Sequence, residues 1–455
     1  SEFEPIMFDY LRDEGGSQAV ERFKKISHFY KPSWFDLSAE ERRTKRVPRP
    51  HWWVHPIKNT LDRATSSLPR LMYERLDEMG LDFTMVYPSL GFGALHMPDD
   101  ELRGVACRAF NNFHAEVYAE YADRMTPTAI IPMHTPEEAL DELDHAVGEL
   151  GMKVCMLAGY ARRPIPAAVG AAAELAHYAT WLDFFGIDSE YDYDPVWAKC
   201  IELGIAPTFH SVGLNWGSRR SISNFMFNHI GHFAAAAEPL CKSLFFGGVT
   251  RRFPDFRCTF LEGGVGWACT LLNDLHGHWE KHNLETIDHC NPASLDLPAI
   301  KTLFKQYGGA DLAARLDEDD RSALLWGYDV PVEYRDEWAA CRIERAEDIR
   351  DLFLPNFYFG CEGDDRSVGW AFDRTGSVFG EELNAVYGSD ISHFDLPDMR
   401  DAAEEAWEMV EDGVLDEEQF RRFVFVNPVK IKTDLNPDFF KGTVVESAVD
   451  KLLAR

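Results

Sequence analysis

The sequence predicts an α/β protein built on a parallel sheet, and it favours a (β/α)8 barrel over an open doubly wound sheet. Short apolar runs alternate with helical patterns along most of the 455 residues. The segments between these runs carry helix-start and helix-stop signals. Residues with catalytic potential stand at the ends of widely separated runs, and a barrel collects its active site from the carboxyl ends of many strands.

Seven runs rich in β-branched and aromatic residues are predicted to be strands. They cover residues 83–89, 128–133, 153–158, 206–210, 257–262, 356–360 and 385–390. The segment after the second run shows why helices are predicted between them. Thr135 is a capping residue, Pro136 suits a first helical turn and Gly151 ends the pattern before the third run.

Three stretches exceed a minimal barrel, and we interpret them as insertions because each lies between consecutive strands. They are residues 14–80, 160–195 and 276–350, within one domain over 1–455. A helical tail is predicted over about 399–455. Its first part, 399–422, has the pattern of an acidic amphipathic helix that Asn427 and Pro428 are expected to end.

The composition excludes several classes of partner. Lys and Arg number 46 and Asp and Glu 76, so the net charge is −30, which argues against nucleic acid and an anionic membrane surface. We find neither a membrane-length apolar run nor the pattern of a signal peptide. The nine cysteines are scattered and never spaced CxxC, which indicates reduced, mostly buried thiols in a cytoplasmic protein. A small-molecule substrate and a homo-oligomer are the expected partners.

Three polar residues end predicted strands. His210 is placed to ligate a divalent metal, although taken alone it fits a hydrogen-bonded strand-end histidine better. Asp390 ends a buried run, where a carboxylate needs a metal, a cation or several donors, or else caps the next helix. Glu262 precedes a glycine-rich turn and suits a general acid or base, or an ion pair with an arginine.

Other features are weaker. The pair His229 and His232, three residues apart, fits solvated or buried structural histidines better than a metal site, and so does the group His276, His278 and His282. The segment from 49 to 63 holds Lys58 and Arg63 beside tryptophans. It fits either a substrate pocket, with cations for a carboxylate, or a surface loop held by buried tryptophans. No HExxH, GxSxG, Walker-type loop, SxxK or GxGxxG motif is present.

Several segments in fixed order resemble the amidohydrolase superfamily, in particular its amidohydrolase-2 group related to aminocarboxymuconate-semialdehyde decarboxylase. They span roughly residues 60–400 and are 70–88, 132–139 with 151–153, 194–197 with 204–210, 246–256 with 260–263, and 387–390. The resemblance implies a distorted (β/α)8 TIM barrel with helical insertions that binds one divalent metal, usually zinc and in some members manganese or iron.

The resemblance also implies roles for residues. His210 matches the ligand after the fifth strand, Asp390 the ligand after the eighth, and Glu262 a position where relatives carry His or Glu near the catalytic centre. The family's first-strand histidine pair does not precede Ser1. We expect that strand to be missing from the printed sequence, the alternative being a barrel that has lost two ligands.

The leading hypothesis is a metal-dependent hydrolase that cleaves a C–N or C–O bond of a small organic substrate with a metal-activated water. Asp390 takes the proton of that water, Glu262 assists, and His393 and Trp267 contact the substrate. One alternative is a non-oxidative decarboxylase of an aromatic or muconate-like acid, in which Glu262 protonates the carbanion. A second alternative is a non-catalytic ligand-binding barrel.

Overall fold

The structure is a computed structural model that describes residues 2–26, 34–53, 58–172, 179–318, 327 and 330–454. Short strands alternate with helices along this part of the chain. The strands are β1 (Thr84–Val86), β2 (Met125–Ile131), β3 (Val154–Leu157), β4 (Ala161–Pro164), β5 (Thr180–Asp183), β6 (Thr208–Phe209), β7 (Cys258–Phe260), β8 (Phe357–Cys361) and β9 (Asn384–Tyr387).

Seven strands form one curled sheet in the order β1-β2-β3-β6-β7-β8-β9. Every neighbouring pair is parallel, and each strand overlaps one of the seven predicted runs. The predicted α/β fold with a distorted barrel sheet is therefore confirmed. Strands β1 and β9 stand at the two edges of the sheet.

Helices return the chain between the parallel strands. They are α1 (Glu4–Ile26), α2 (Ala39–Thr44), α3 (Thr60–Thr65), α4 (Pro69–Arg75), α5 (Leu90–Ala94), α6 (Asp100–Tyr118), α7 (Pro136–Leu143), α8 (Pro166–Ala171), α9 (Asp194–Glu202), α10 (Phe225–His229), α11 (His232–Phe246), α12 (Val249–Arg252), α13 (Gly266–His282), α14 (Leu297–Tyr307), α15 (Gly309–Glu318), α16 (Ala346–Phe353), α17 (Val368–Ala371), α18 (Ala402–Glu411), α19 (Glu417–Arg421), α20 (Asn427–Thr433) and α21 (Glu446–Leu453). As predicted, the Thr135 side chain caps α7 by accepting from the N–H of Glu138 at 3.2 Å.

Aromatic side chains from neighbouring strands fill the centre of the molecule. The rings of Phe209 and Phe260 stack 6.0 Å apart, and Phe260 stacks on Phe359 at the same distance. All three are at most 2 % exposed. Burying one such ring stabilises the fold by about 1.5–3 kcal/mol, so these strand residues hold the sheet edge that carries the site.

The segments interpreted as insertions contain structure of their own. An antiparallel ribbon of β4 and β5 lies within 160–195, which the sequence analysis did not predict because only four residues of each strand pair. Helices α14 and α15 lie within 276–350. Residues 173–178, 319–326 and 328–329 of these segments lie outside the described residues.

The C-terminal tail is helical, but two predictions about it are wrong. The single helix expected over 399–422 is divided into α18 and α19, because Gly413 has a left-handed backbone and Asp416 caps a new helix. The helix does not end at Asn427 and Pro428, because these residues begin α20 after a π-helical turn at Arg422–Val426. Proline in a first helical turn costs no internal hydrogen bond, so it starts a helix as readily as it ends one.

The structure bears on two expectations from composition. All nine cysteines are free, and seven of them are buried. Within the described residues, no helix has both the length and the apolar character that crossing a membrane requires.

Candidate metal centre

The strand-end residues predicted from the sequence meet at one end of the sheet. His210 directly follows β6, Glu262 follows β7 after one residue, and Asp390 lies three residues beyond β9. Because these strands are parallel, their carboxyl ends share one side of the sheet.

His210 and Glu262 are in direct contact. Glu262 Oε2 lies 2.5 Å from His210 Nε2, and the two side chains are 19 % and 15 % exposed. The rings of Phe92 and Phe233 pack against the imidazole at 5.1 and 4.9 Å. The Nδ1 atom of His210 is buried and has no hydrogen-bond partner among the described residues. One ring nitrogen is thus left for a ligand.

Asp390 and His393 complete the group. His393 Nδ1 lies 3.0 Å from Asp390 Oδ2 and 2.9 Å from Asp395 Oδ2. One ligand atom each from Glu262, Asp390 and His393 lies within 4.8 Å of the others. Two carboxylate oxygens and an imidazole nitrogen at this spacing suit zinc, manganese or iron, and His210 adjoins them through its contact with Glu262.

The electrostatics of the group favour a cation. Burial, together with the charges of Glu262 and Asp390, raises the pKa of Glu362 to about 9. Burial also raises the pKa of Asp390, and the charge of Glu262 adds to this effect. Although burial alone lowers it, hydrogen bonds to Asp390 and Asp395 raise the pKa of His393. Crowded carboxylates of this kind are stabilised by a divalent ion.

The backbone of Glu262 and that of Asp390 adopt a conformation that is rare for residues other than glycine. The φ angles of Glu262 and Asp390 are +56° and +46°, and that of Ser392 is +79°. Non-glycine residues in this left-handed region carry strain, which concentrates at functional sites. The turn after β7 and the turn after β9 are therefore both held in strained shapes.

A cavity of about 310 Å³ opens beside Glu262. Its lining is acidic and glycine-rich and consists of Ala234, Glu262, Gly263, Gly264, Gly266, Trp267, Glu362, Asp365 and Ser367. Trp267, a predicted substrate contact, is thus placed next to the group. Glu362 was not among the residues predicted from the sequence. It directly follows β8, and that strand-end position was the available signal.

Lys58 and Arg63 are the two cations predicted to contact a substrate carboxylate. Arg63 lies on α3 and donates to the hydroxyl groups of Ser66 and Ser67 at 2.8 and 3.1 Å. Lys58 is exposed. Their contact with a substrate carboxylate remains a prediction, and positions 54–57 of the same segment lie outside the described residues.

An aromatic wall adjoins the group on the side of that segment. Trp53 packs edge-on against Phe225 and Phe394, each at 5.5 Å. Phe394 in turn lies 4.4 Å from the ring of His393. Such a wall suits a planar organic ligand.

The histidine pair that the sequence analysis treated as structural lies beside the same wall. The ring of His229 is 5.6 Å from Phe394 and 4.7 Å from the ring of His232. His232 is 1 % exposed, and burial lowers its pKa to about 3. Neither of its ring nitrogens has a hydrogen-bond partner in the described part of the chain. The three-residue spacing was the signal, but it did not show that His229 ends α10 and His232 begins α11.

Comparison with known proteins agrees with this architecture. The family model described as amidohydrolase matches residues 51–431. A curated relative, "Decarboxylase orsB" from Emericella nidulans, is 28 % identical over 191 residues, which are 38 % of this chain and 50 % of that protein. The chain thus matches half the length of this relative.

Two solved structures match most of the chain. One, described as an amidohydrolase II, has a TM-score of 0.51 and 11 % identity, and the match covers 92 % of this chain and 95 % of that one. The other is a dihydroxybenzoic acid decarboxylase from Polaromonas with bound manganese and the inhibitor 2-nitroresorcinol. It has a TM-score of 0.46 and 14 % identity, with 80 % and 85 % of the two chains covered.

Proposed function

The chain belongs to this amidohydrolase family, and on that premise we propose that it is a metal-dependent, non-oxidative decarboxylase of an aromatic carboxylic acid. The observation that carries the proposal is the meeting of His210, Glu262, Asp390 and His393 beside one cavity. The curated relative named a decarboxylase supports this activity over the hydrolysis that the sequence analysis puts first.

The residues fit one divalent ion. His210, Asp390 and His393 would hold it, and zinc is our first choice, with manganese and iron as alternatives. The free Nδ1 of His210 supports this fit, and so does the group of Glu262, Asp390 and His393, whose ligand atoms lie within 4.8 Å of one another. When bound, the ion supplies positive charge that draws electron density towards the substrate's oxygen atoms.

Glu262 is the acid in this proposal. Its carboxyl group borders the cavity, and its contact with His210 Nε2 fixes the position of that carboxyl group. Glu262 gives a proton to the ring carbon that bears the carboxylate. The bond between this carbon and the carboxylate then breaks, its electron pair returns to the ring, and carbon dioxide leaves. The aromatic wall around Trp53 and Phe394 orients the ring and excludes water.

The experiment uses protein expressed from the complete reading frame. Elemental analysis is expected to find about one divalent ion per chain. Carbon dioxide release is measured with a panel of hydroxybenzoates and muconate-like acids, and hydrolysis with a parallel panel of amides and esters. Substoichiometric metal with no turnover would instead favour a non-catalytic binding barrel, and hydrolysis without carbon dioxide release would restore the hydrolase hypothesis.

The Glu262→Gln variant tests the acid directly. Loss of a positioned general acid lowers turnover by about 10²–10⁴-fold. Glu280→Gln is the matched control, because Glu280 is exposed on α13 and is not among the residues that line the cavity. Equal rates of carbon dioxide release in both variants would contradict the assigned role.

A further inference from the structure

We infer that the first turn of α11, together with the side chain of His232, forms the binding site for the substrate's carboxylate. The inference rests on the proposed function and assigns a place to the charged group of the aromatic acid. His232, one of the two histidines beside the aromatic wall, is thereby assigned a role in substrate binding. This role differs from those of a metal ligand and of a structural residue.

The start of α11 has free hydrogen-bond donors. The helix has 15 residues, and no side chain in the described ranges caps its N-terminus at Gly231. Its first internal bond runs from the N–H of Ala235 to the carbonyl oxygen of Gly231, at 3.1 Å. The N–H groups ahead of Ala235 therefore have no partner within the helix, and the helix dipole adds positive potential there.

His232 is a second and independent indication of a ligand. It is 1 % exposed, and both of its ring nitrogens lack a partner among the residues that the structure describes. Buried polar groups are normally hydrogen-bonded, so an imidazole without any bond calls for a missing partner. Its backbone carbonyl accepts from the N–H of Gly213 at 3.1 Å, which fixes the turn to the loop after β6.

The first turn also reaches the predicted metal ligand and the cavity. Phe233 packs on His210 at 4.9 Å, and its ring is 3.8 Å from that of His232. Ala234 lines the cavity. Its backbone nitrogen would lie 3.4 Å from a Cβ atom at Gly263, so the glycine leaves this amide uncovered. The donors of the turn thus stand next to the acid and the ligands of the reaction.

The two sides of the cavity offer an anion different hydrogen-bonding groups. The carboxyl groups of Glu262, Glu362 and Asp365 occupy the turns after β7 and β8. The α11 side carries amide donors and a neutral imidazole instead. The hydrogen-bond donors for a carboxylate therefore come from the α11 side of the cavity. The ring carbon beside that carboxylate then faces Glu262.

The test compares an anion with its neutral analogue. Binding of 2,6-dihydroxybenzoate and 2,6-dihydroxybenzamide to the metal-loaded protein is measured by calorimetry. The His232→Phe variant removes the ring donor and keeps the ring's size. Ala234→Pro removes one backbone N–H at a position where helices accept proline. Each is expected to weaken binding of the acid about tenfold or more and to leave the amide within about threefold.

Two further variants complete the design. His232→Asn keeps a donor and is expected to recover part of the lost affinity. His278→Phe, an exposed histidine on α13, is the matched control and should change neither affinity. Equal weakening of acid and amide, no weakening in either variant, or no binding of the acid would overturn the inference. If the protein releases carbon dioxide and both variants keep their affinity for the acid, only this inference is overturned. If the acid is bound selectively but no turnover is measured, only the proposed function is overturned.

Discussion

A buried ion pair anchors the loop that carries Asp390. The Asp62 carboxylate accepts from Arg75 Nη1 at 2.8 Å, and the two side chains are 2 % and 5 % exposed. The other oxygen of Asp62 accepts from the N–H of Met399 at 2.8 Å. Asp62 therefore connects α3 and α4 to the chain just beyond the metal group. We expect Asp62→Asn to destabilise the protein strongly.

The magnitude follows from this burial. Removing one partner of a buried pair costs about 3–5 kcal/mol, since the remaining charge is left without compensation. Arg75 still has Glu78 at 3.1 Å and the hydroxyl group of Thr65 at 2.6 Å. We therefore expect the lower end, about 3 kcal/mol, which is a change of about 10² in the unfolding equilibrium constant.

Urea unfolding followed by tryptophan fluorescence measures this change at equal metal loading. Asp77→Asn is the control, because Asp77 pairs with Arg124 but is 85 % exposed. Such a surface pair contributes at most about 1 kcal/mol. A loss of stability in Asp62→Asn no larger than in Asp77→Asn would refute the reasoning.

Three further outcomes are expected. Asp390→Asn should lower the bound metal well below one ion per chain by elemental analysis, and an unchanged content would contradict its role as a ligand. Burial lowers the pKa of Lys432 to about 8. The unfolded chain then binds more protons between about pH 8 and 10.5, so Lys432→Met should stabilise the protein at pH 7, with a gain that shrinks across that window. Exposed Lys430→Met should show no such trend in urea titrations at several pH values. Gly247→Ala should lower the melting temperature, because its Cβ would lie 2.1 Å from a backbone oxygen, whereas Gly217→Ala, with open space around it, should not.

The sheet was predictable because its central strands are buried on both faces. Such strands are nearly continuous apolar runs, and all seven in the main sheet match a predicted run. The ribbon of β4 and β5 and the start of α20 at Asn427 were not predictable in the same way. Short pairings and proline positions depend on tertiary contacts that local patterns do not contain.

The site was predictable where chemistry and strand ends coincide. His210, Glu262 and Asp390 each stand just beyond an apolar run, and parallel strands bring such positions together. Side-chain direction was the missing information elsewhere. The spacing of His229 and His232 fits either face of a helix, and only packing against Phe233 and the aromatic wall shows that they adjoin the site.

The left-handed backbone at Glu262 and Asp390 sets a limit on improving this protein. Each such residue costs of the order of 1–2 kcal/mol relative to a glycine, which adopts the conformation freely. Selection for thermal tolerance alone would therefore reward glycine at both positions while removing the carboxylates. Any laboratory evolution of a more robust enzyme has to screen for turnover in the same round, since the most accessible stabilising changes erase the chemistry.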